Sequence, residues 1–157
     1  SKADFADADL VIEAVFEDLT VKQDLFAKLD GLAPAKSILA TNTSSFYVKD
    51  LAAVTKRADR VVGLHFFFPA AVNKLLEVVK GPATSQASAD AAYAAGKKAG
   101  KSCIATADAP GFAVNRFFVP WLTRGWRRPA ARVRHELGCP KGTIARQSGQ
   151  KHLCGDL

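Results

Sequence analysis

The sequence holds little sulfur and no long apolar run. Its 157 residues include no methionine, three cysteines, two tryptophans and two tyrosines. Cys103, Cys139 and Cys154 make an odd count without a framework's spacing, which argues against a disulfide-built scaffold. His135, Cys139, His152 and Cys154 lie close together in sequence, but their spacings match no zinc pattern and no metal site is expected. No stretch reaches the roughly 18 apolar residues that a membrane helix needs. The N-terminus also lacks the basic, apolar and small-residue zones of a signal peptide. These absences lead to the expectation of a cytoplasmic protein with no membrane segment. A chain that starts at Ser1 without any methionine is further expected to be part of a longer gene product.

What is present looks globular: 48% of residues are hydrophobic and 24% charged, an ordinary balance for one domain with its own core. The net charge of +7 suggests an anionic partner until it is divided along the chain. From Ser1 to Thr123, 14 Lys/Arg face 13 Asp/Glu, a balance of +1; from Arg124 onward 8 face 2, a balance of +6. The basicity belongs to the tail. Nucleic-acid binding is therefore not expected of the body of the chain, although Arg124–Arg146 would suit a basic anion-binding module.

The apolar pattern predicts alternating strands and helices. Leu10–Val15 reads as a buried strand, and Glu17–Leu32 as a helix with acids in its first turn, ended by Pro34. A second strand over Ser37–Thr41 opens into the polar run Asn42-Thr43-Ser44-Ser45. A short helix follows over Val48–Val54, then strands over Arg60–Phe67 and Leu75–Val79. Ser85–Gly100 reads as an Ala-rich helix closed by its glycine, and Lys101–Ala107 as a fifth strand. A last helix runs from Ala113 to about Trp126, interrupted or kinked at Pro120. Strands separated by helices of this length predict a parallel, doubly wound sheet. Gly96-Lys97-Lys98-Ala99-Gly100-Lys101-Ser102 imitates a phosphate-binding loop, but it runs from helix to strand and reads as a helix end.

In such a sheet, ligands bind beyond the carboxyl ends of the strands. Glu17, Asn42–Ser45 and His65 fall there. Glu77 is the only charge within Leu75-Leu76-Glu77-Val78-Val79, where an unpaired carboxylate would be costly. A buried carboxylate beside an imidazole orients the ring and favours its taking up a proton, the arrangement of a general base. A structural ion pair of Glu77 with a Lys or Arg remains open at this point. Ser44 and Asn115 read equally well as a turn residue and a helix-start residue.

Four ordered motifs carry a resemblance: Ala40-Thr41-Asn42-Thr43-Ser44-Ser45, Arg60-Val61-Val62-Gly63-Leu64-His65-Phe66-Phe67-Phe68-Pro69, Lys74-Leu75-Leu76-Glu77-Val78-Val79, and Pro110-Gly111-Phe112-Ala113-Val114-Asn115-Arg116. In this order and spacing the chain resembles the 3-hydroxyacyl-CoA dehydrogenases from about Asp9 to Leu122. The resemblance implies NAD-dependent oxidation of an L-3-hydroxyacyl-CoA thioester to the 3-ketoacyl-CoA. It implies His65 as the base, Glu77 holding and polarising it, Ser44 bonding the substrate oxygen near the nicotinamide, and Asn115 positioning the reacting end. Glu17 and Lys22 match positions that contact the cofactor.

The same resemblance implies a partial Rossmann-like doubly wound α/β sheet lacking its first βαβ unit. Residues 1–109 would form the later part of an NAD-binding domain, 110–123 the start of a helical domain, and 124–157 a basic, atypical tail. Full-length members are expected to be homodimers. Two departures bear on activity. Phe68 stands where the family has Asn, and the G-x-G-x-x-G turn that holds a dinucleotide's pyrophosphate does not occur. The chain alone is therefore expected to bind NAD weakly and turn over little, and a catalytically idle remnant of such an enzyme is the competing reading.

Overall fold

A computed structural model describes residue 5 and residues 7–126, with side chains as far as residue 122. The apolar segments become strands β1 (Leu10–Glu13), β2 (Ile38–Thr41), β3 (Val61–Phe66), β4 (Leu75–Lys80) and β5 (Ser102–Ala107). Helices α1 (Leu19–Leu32), α2 (Val48–Ala52), α3 (Gln86–Lys98) and α4 (Val114–Trp126) connect or follow them, with a 3-10 turn at Ala58–Arg60. None of the described helices is long and apolar enough to cross a membrane. The tail beyond Trp126, with its arginines and its Cys and His pairs, lies outside the described residues.

The strands form one sheet in the order β1-β2-β3-β4-β5. The sheet is mixed, not all-parallel as the sequence pattern predicts. β1, β2 and β3 run parallel, β4 pairs antiparallel with β3, and β5 runs parallel to β4. The reason is the length of the β3–β4 link. Phe67–Lys74 is eight residues, and a parallel return needs a crossover of a dozen or more. Where α3 intervenes, between β4 and β5, the parallel relation returns.

Both faces of this mixed sheet are covered, because alternate residues along each strand point to opposite sides. Leu39, Val61 and Val79 pack with Phe26 and Leu29 of α1 and with Val48 and Leu51 of α2. Ala40, Val62, Leu64, Leu76 and Val78 pack on the other side with Ala92 of α3. The strands bury side chains on both faces, so they read as nearly continuous apolar runs. Gly63 sets how closely α2 lies on the sheet: a Cβ there would sit 2.7 Å from Val79 Cβ and 3.1 Å from Val48 Cγ2. That close approach holds the polar segment preceding α2 near the carboxyl end of β3.

Helix ends explain several polar residues. Asp18 is the N-cap of α1, accepting from Val21 N at 3.0 Å, and the first turn itself contains no acid. The sequence pattern places Glu17 and Asp18 in that first turn; the helix starts two residues later, which frees Glu17 for other partners. At the other end, Arg57 bonds Asp30 Oδ1 at 2.7 Å and also the carbonyls of Asp30, Ala33 and Pro34. One guanidinium thus satisfies acceptors that a helix end leaves open. Two glycines shape the end of α3: Gly96 lies within it against Leu76 and Cys103, and Gly100 follows at φ 76°. α4 continues through Pro120 from Val114 to Trp126. Among the described residues, those up to Arg116 form one compact unit.

Candidate active site

The antiparallel turn of β4 sets His65 directly opposite Glu77 in the β3–β4 register. Cross-strand neighbours stand close enough for short side chains to meet. His65 Nδ1 lies 2.6 Å from Glu77 Oε2. Glu77 is fully buried, and its other oxygen accepts from the backbone N–H groups of Ala113 at 2.9 Å and Val114 at 2.8 Å. The partner left open by the sequence is therefore the imidazole together with the start of α4, not a Lys or Arg.

Two consecutive left-handed residues, Gly111 at φ 71° and Phe112 at φ 48°, turn the chain into α4. A Cβ on Gly111 would press on Arg116 N at 3.1 Å and Asn115 Cβ at 3.3 Å and would sit at a left-handed φ, so the turn favours glycine. Phe112 accepts an uncommon conformation for an aromatic residue, and its ring lies 5.5 Å from that of His65. Phe67 covers the imidazole at 4.5 Å between centroids.

A carboxylate can only accept, so Nδ1 must donate and the neutral ring keeps Nε2 as its acceptor. Nε2 has no hydrogen-bond partner among the described residues, and it is not sealed from solvent. An imidazole held this way presents one basic nitrogen to whatever enters the site. Asn115, the second residue of α4, is half-buried and its amide is likewise uncommitted among the described residues.

A second cluster forms where β1 and β2 end. Lys22 of α1 is buried, and its ammonium bonds Glu13 Oε1 at 2.8 Å and Glu17 Oε2 at 3.2 Å. Glu13 also accepts from Val15 N at 2.7 Å and from Thr41 Oγ1 at 2.8 Å. Glu17 Oε1 gathers the next segment, accepting from Thr43 Oγ1 at 2.5 Å, Ser44 N at 2.9 Å and Ser45 N at 3.1 Å. Burial pushes the Glu17 carboxyl up, but the Thr43 and Ser44 bonds and the Lys22 ammonium outweigh it and leave the pKa below the ordinary value. Ser44 is left with a hydroxyl whose contact is Ser45 Oγ at 3.4 Å.

Asn42 joins the two clusters. Its N–H donates to Glu13 O at 2.9 Å, and its Oδ1 accepts from Phe66 N, beside His65, at 2.8 Å. Asp108, after β5, accepts from Val48 N at 2.8 Å and Lys49 N at 2.9 Å, fixing the start of α2. Glu13 and Asp108 are the two residues of these clusters that sequence patterns miss. Glu13 carries the same signal as Glu77, a lone charge inside Leu10-Val11-Ile12-Glu13-Ala14-Val15; Asp108 carries none. Phe68 projects into solvent, 93% exposed, at the start of the β3–β4 link.

Residues 1–109 match the model of the NAD binding domain of 3-hydroxyacyl-CoA dehydrogenases. The chain belongs to the 3-hydroxyacyl-CoA dehydrogenase family. It is 43% identical over 119 residues to the 3-hydroxybutyryl-CoA dehydrogenase of Clostridioides difficile, covering 76% of this chain and 42% of the relative. The mitochondrial hydroxyacyl-coenzyme A dehydrogenase of Homo sapiens is 46% identical over 119 residues, covering 76% of this chain and 38% of the relative. Among solved structures, the (S)-3-hydroxybutyryl-CoA dehydrogenase of Ralstonia eutropha superposes with a TM-score of 0.78 at 40% identity, over 80% of this chain and 44% of that one. The chain thus spans about two fifths of the length of these family members.

Proposed function

We propose that this chain carries the proton-transfer half of an NAD-dependent dehydrogenase that converts an L-3-hydroxyacyl-CoA thioester into the 3-ketoacyl-CoA. The observation that carries the reading is the His65–Glu77 pair, with Nδ1 committed to the carboxylate at 2.6 Å and Nε2 left available. His65 Nε2 takes the proton from the substrate's 3-hydroxyl. Glu77 holds the ring and balances the charge it gains. The Ser44 hydroxyl bonds the same substrate oxygen, and the Asn115 amide positions the reacting end.

The residues fit the nicotinamide half of NAD. Glu17 and Ser44 lie beyond the carboxyl ends of β1 and β2, where such ligands bind. One is a partly exposed carboxylate and the other a hydroxyl held only at 3.4 Å by Ser45 Oγ, suited to a nucleoside's hydroxyl and amide groups. Lys22, buried beneath them, acts through Glu17. The pyrophosphate half has no Gly-rich turn to hold it in this sequence. When bound, NAD accepts the hydride released from the carbon that bore the hydroxyl. The chain's part is orientation and proton transfer. The partner is an acyl-CoA thioester, and the full-length assembly is a homodimer.

The test is a graft in which the matching segment of this chain replaces its counterpart in the Clostridioides difficile relative. The graft should oxidise L-3-hydroxybutyryl-CoA with NAD, while the 157-residue chain alone turns over little. A folded graft without activity would refute the proposal.

A further inference from the structure

Glu13 belongs to no step of the reaction proposed above, yet it is 3% exposed and accepts three hydrogen bonds. A carboxylate is buried at considerable cost unless its partners are arranged for it. Its two oxygens face different routes through the molecule. Through Oε1 it holds Lys22 Nζ at 2.8 Å, and Lys22 in turn reaches Glu17 Oε2 at 3.2 Å. Through Oε2 it takes Thr41 Oγ1 at 2.8 Å, and that hydroxyl accepts from Thr43 N at 3.2 Å. Both routes end on Thr43, Ser44 and Ser45, whose polar groups Glu17 Oε1 gathers.

We propose that Glu13 is the positioning residue of this site: it divides the pull of the buried Lys22 ammonium and so sets Glu17 and the Thr43–Ser45 loop. Lys22 is 1% exposed, so its charge is balanced inside the protein by Glu13 and Glu17 together. With Glu13 present, Lys22 is shared, and Glu17 keeps one oxygen for Lys22 and the other for the loop. Without that negative charge the ammonium keeps only the Val15 carbonyl, at 3.4 Å, and the Glu17 carboxylate, draws Glu17 inward, and loosens its hold on the Ser44 and Ser45 amides. The inference rests on the proposed function only in naming this loop as the one that meets the cofactor.

The test is amide hydrogen exchange of the full chain, read residue by residue by NMR without any ligand. Glu13→Gln should speed exchange at Ser44 and Ser45 by about tenfold or more, the scale of losing hydrogen bonds to a charged acceptor. Leu64 and Val78, central in the sheet, should keep wild-type exchange. Glu13→Gln combined with Lys22→Met removes both charges, so Glu17 regains the loop and exchange there should return toward wild type. Thr41→Val cuts only the second route and should speed exchange at Thr43. Unchanged loop exchange in Glu13→Gln, or a rise spread evenly over the sheet, overturns the proposal. So does a double variant no better than the single one. If Glu13→Gln does not fold, unchanged Thr43 exchange in Thr41→Val, or a double variant that does not fold either, overturns it equally. None of these outcomes depends on hydride transfer, so a failure here and a failure of the function reading are separately visible.

Discussion

Replacing Glu77 by Gln keeps the shape of the site and reverses the proton arrangement on His65. Three N–H donors end on the carboxylate: Ala113 N and Val114 N on Oε1 at 2.9 and 2.8 Å, and His65 Nδ1 on Oε2 at 2.6 Å. An amide offers a single acceptor oxygen. Turned toward Ala113 and Val114, it presents its NH2 to Nδ1, which must then accept, so the ring proton moves to Nε2. Turned the other way, the NH2 confronts two part-buried backbone N–H groups, each losing its acceptor at a cost of about 1 kcal/mol, the lower end for an unsatisfied group. The first orientation wins. Hydrogen bonds to a charged acceptor contribute about 1.5–3 kcal/mol each and neutral ones about 0.5–1.5, so converting three should lower stability by about 3 kcal/mol. Long-range nitrogen–proton correlation of the neutral His65 ring reads the tautomer, and denaturant unfolding reads the loss. The expected tautomer is Nδ1–H in the wild type and Nε2–H in the variant. Nδ1–H in both, or an unmoved unfolding midpoint, would rule out this proton arrangement.

Two glycines in helices should respond to alanine with opposite signs in thermal unfolding. A methyl added at Gly31 of α1 would have nothing within 4 Å, so Gly31→Ala should stabilise by about 0.5–1 kcal/mol. At Gly96 the methyl would lie 2.6 Å from Leu76 Cδ2 and 2.7 Å from Cys103 Sγ; overpacking of about 1–3 kcal/mol outweighs the helix gain and should destabilise. Acid should weaken the fold through Glu17 and Asp30. Burial raises each carboxyl, but bonds from Thr43 and Ser44 at Glu17, and from Lys56 and Arg57 at Asp30, outweigh it and leave both pKa values lowered. A lowered folded-state value contributes stability above the ordinary carboxylate range near pH 4, lost as pH falls through and below it. Asp30→Asn and Glu17→Gln should each flatten the acid limb of a stability–pH curve, and an unaltered limb would contradict the assignment.

Most of the sheet is legible in the sequence because apolar residues repeat at the periods of strands and helices, and Pro34 and Gly100 mark helix ends. The direction of β4 escapes a reading by period alone, though the eight-residue link after β3 contains the answer. That direction matters to the site, since the antiparallel register is what sets His65 opposite Glu77. The pair itself is legible as two chemically suited residues; that they meet is a property of strand pairing, which local spacing does not display. Glu17 looks like a partner for the dipole of α1, whereas it binds a segment 26 to 28 residues away. Asp108 reaches Val48 across 60 residues, and Glu77 reaches Ala113 across 36. Bonds of that span come from tertiary packing, so a sequence scanned for local patterns passes over them. Glu13 is different: its isolation among apolar residues is visible, and the rule that singles out Glu77 applies to it equally.

In the proposed reaction His65 Nε2 receives the proton when the hydroxyl carbon is oxidised. Its most direct measurement is the rate of L-3-hydroxybutyryl-CoA oxidation by the grafted enzyme carrying His65→Gln, with NAD affinity measured beside it. A loss of about 10²–10⁴-fold is expected, the range for removing a general base, with NAD affinity unchanged. A rate within about threefold of the unmodified graft would contradict it.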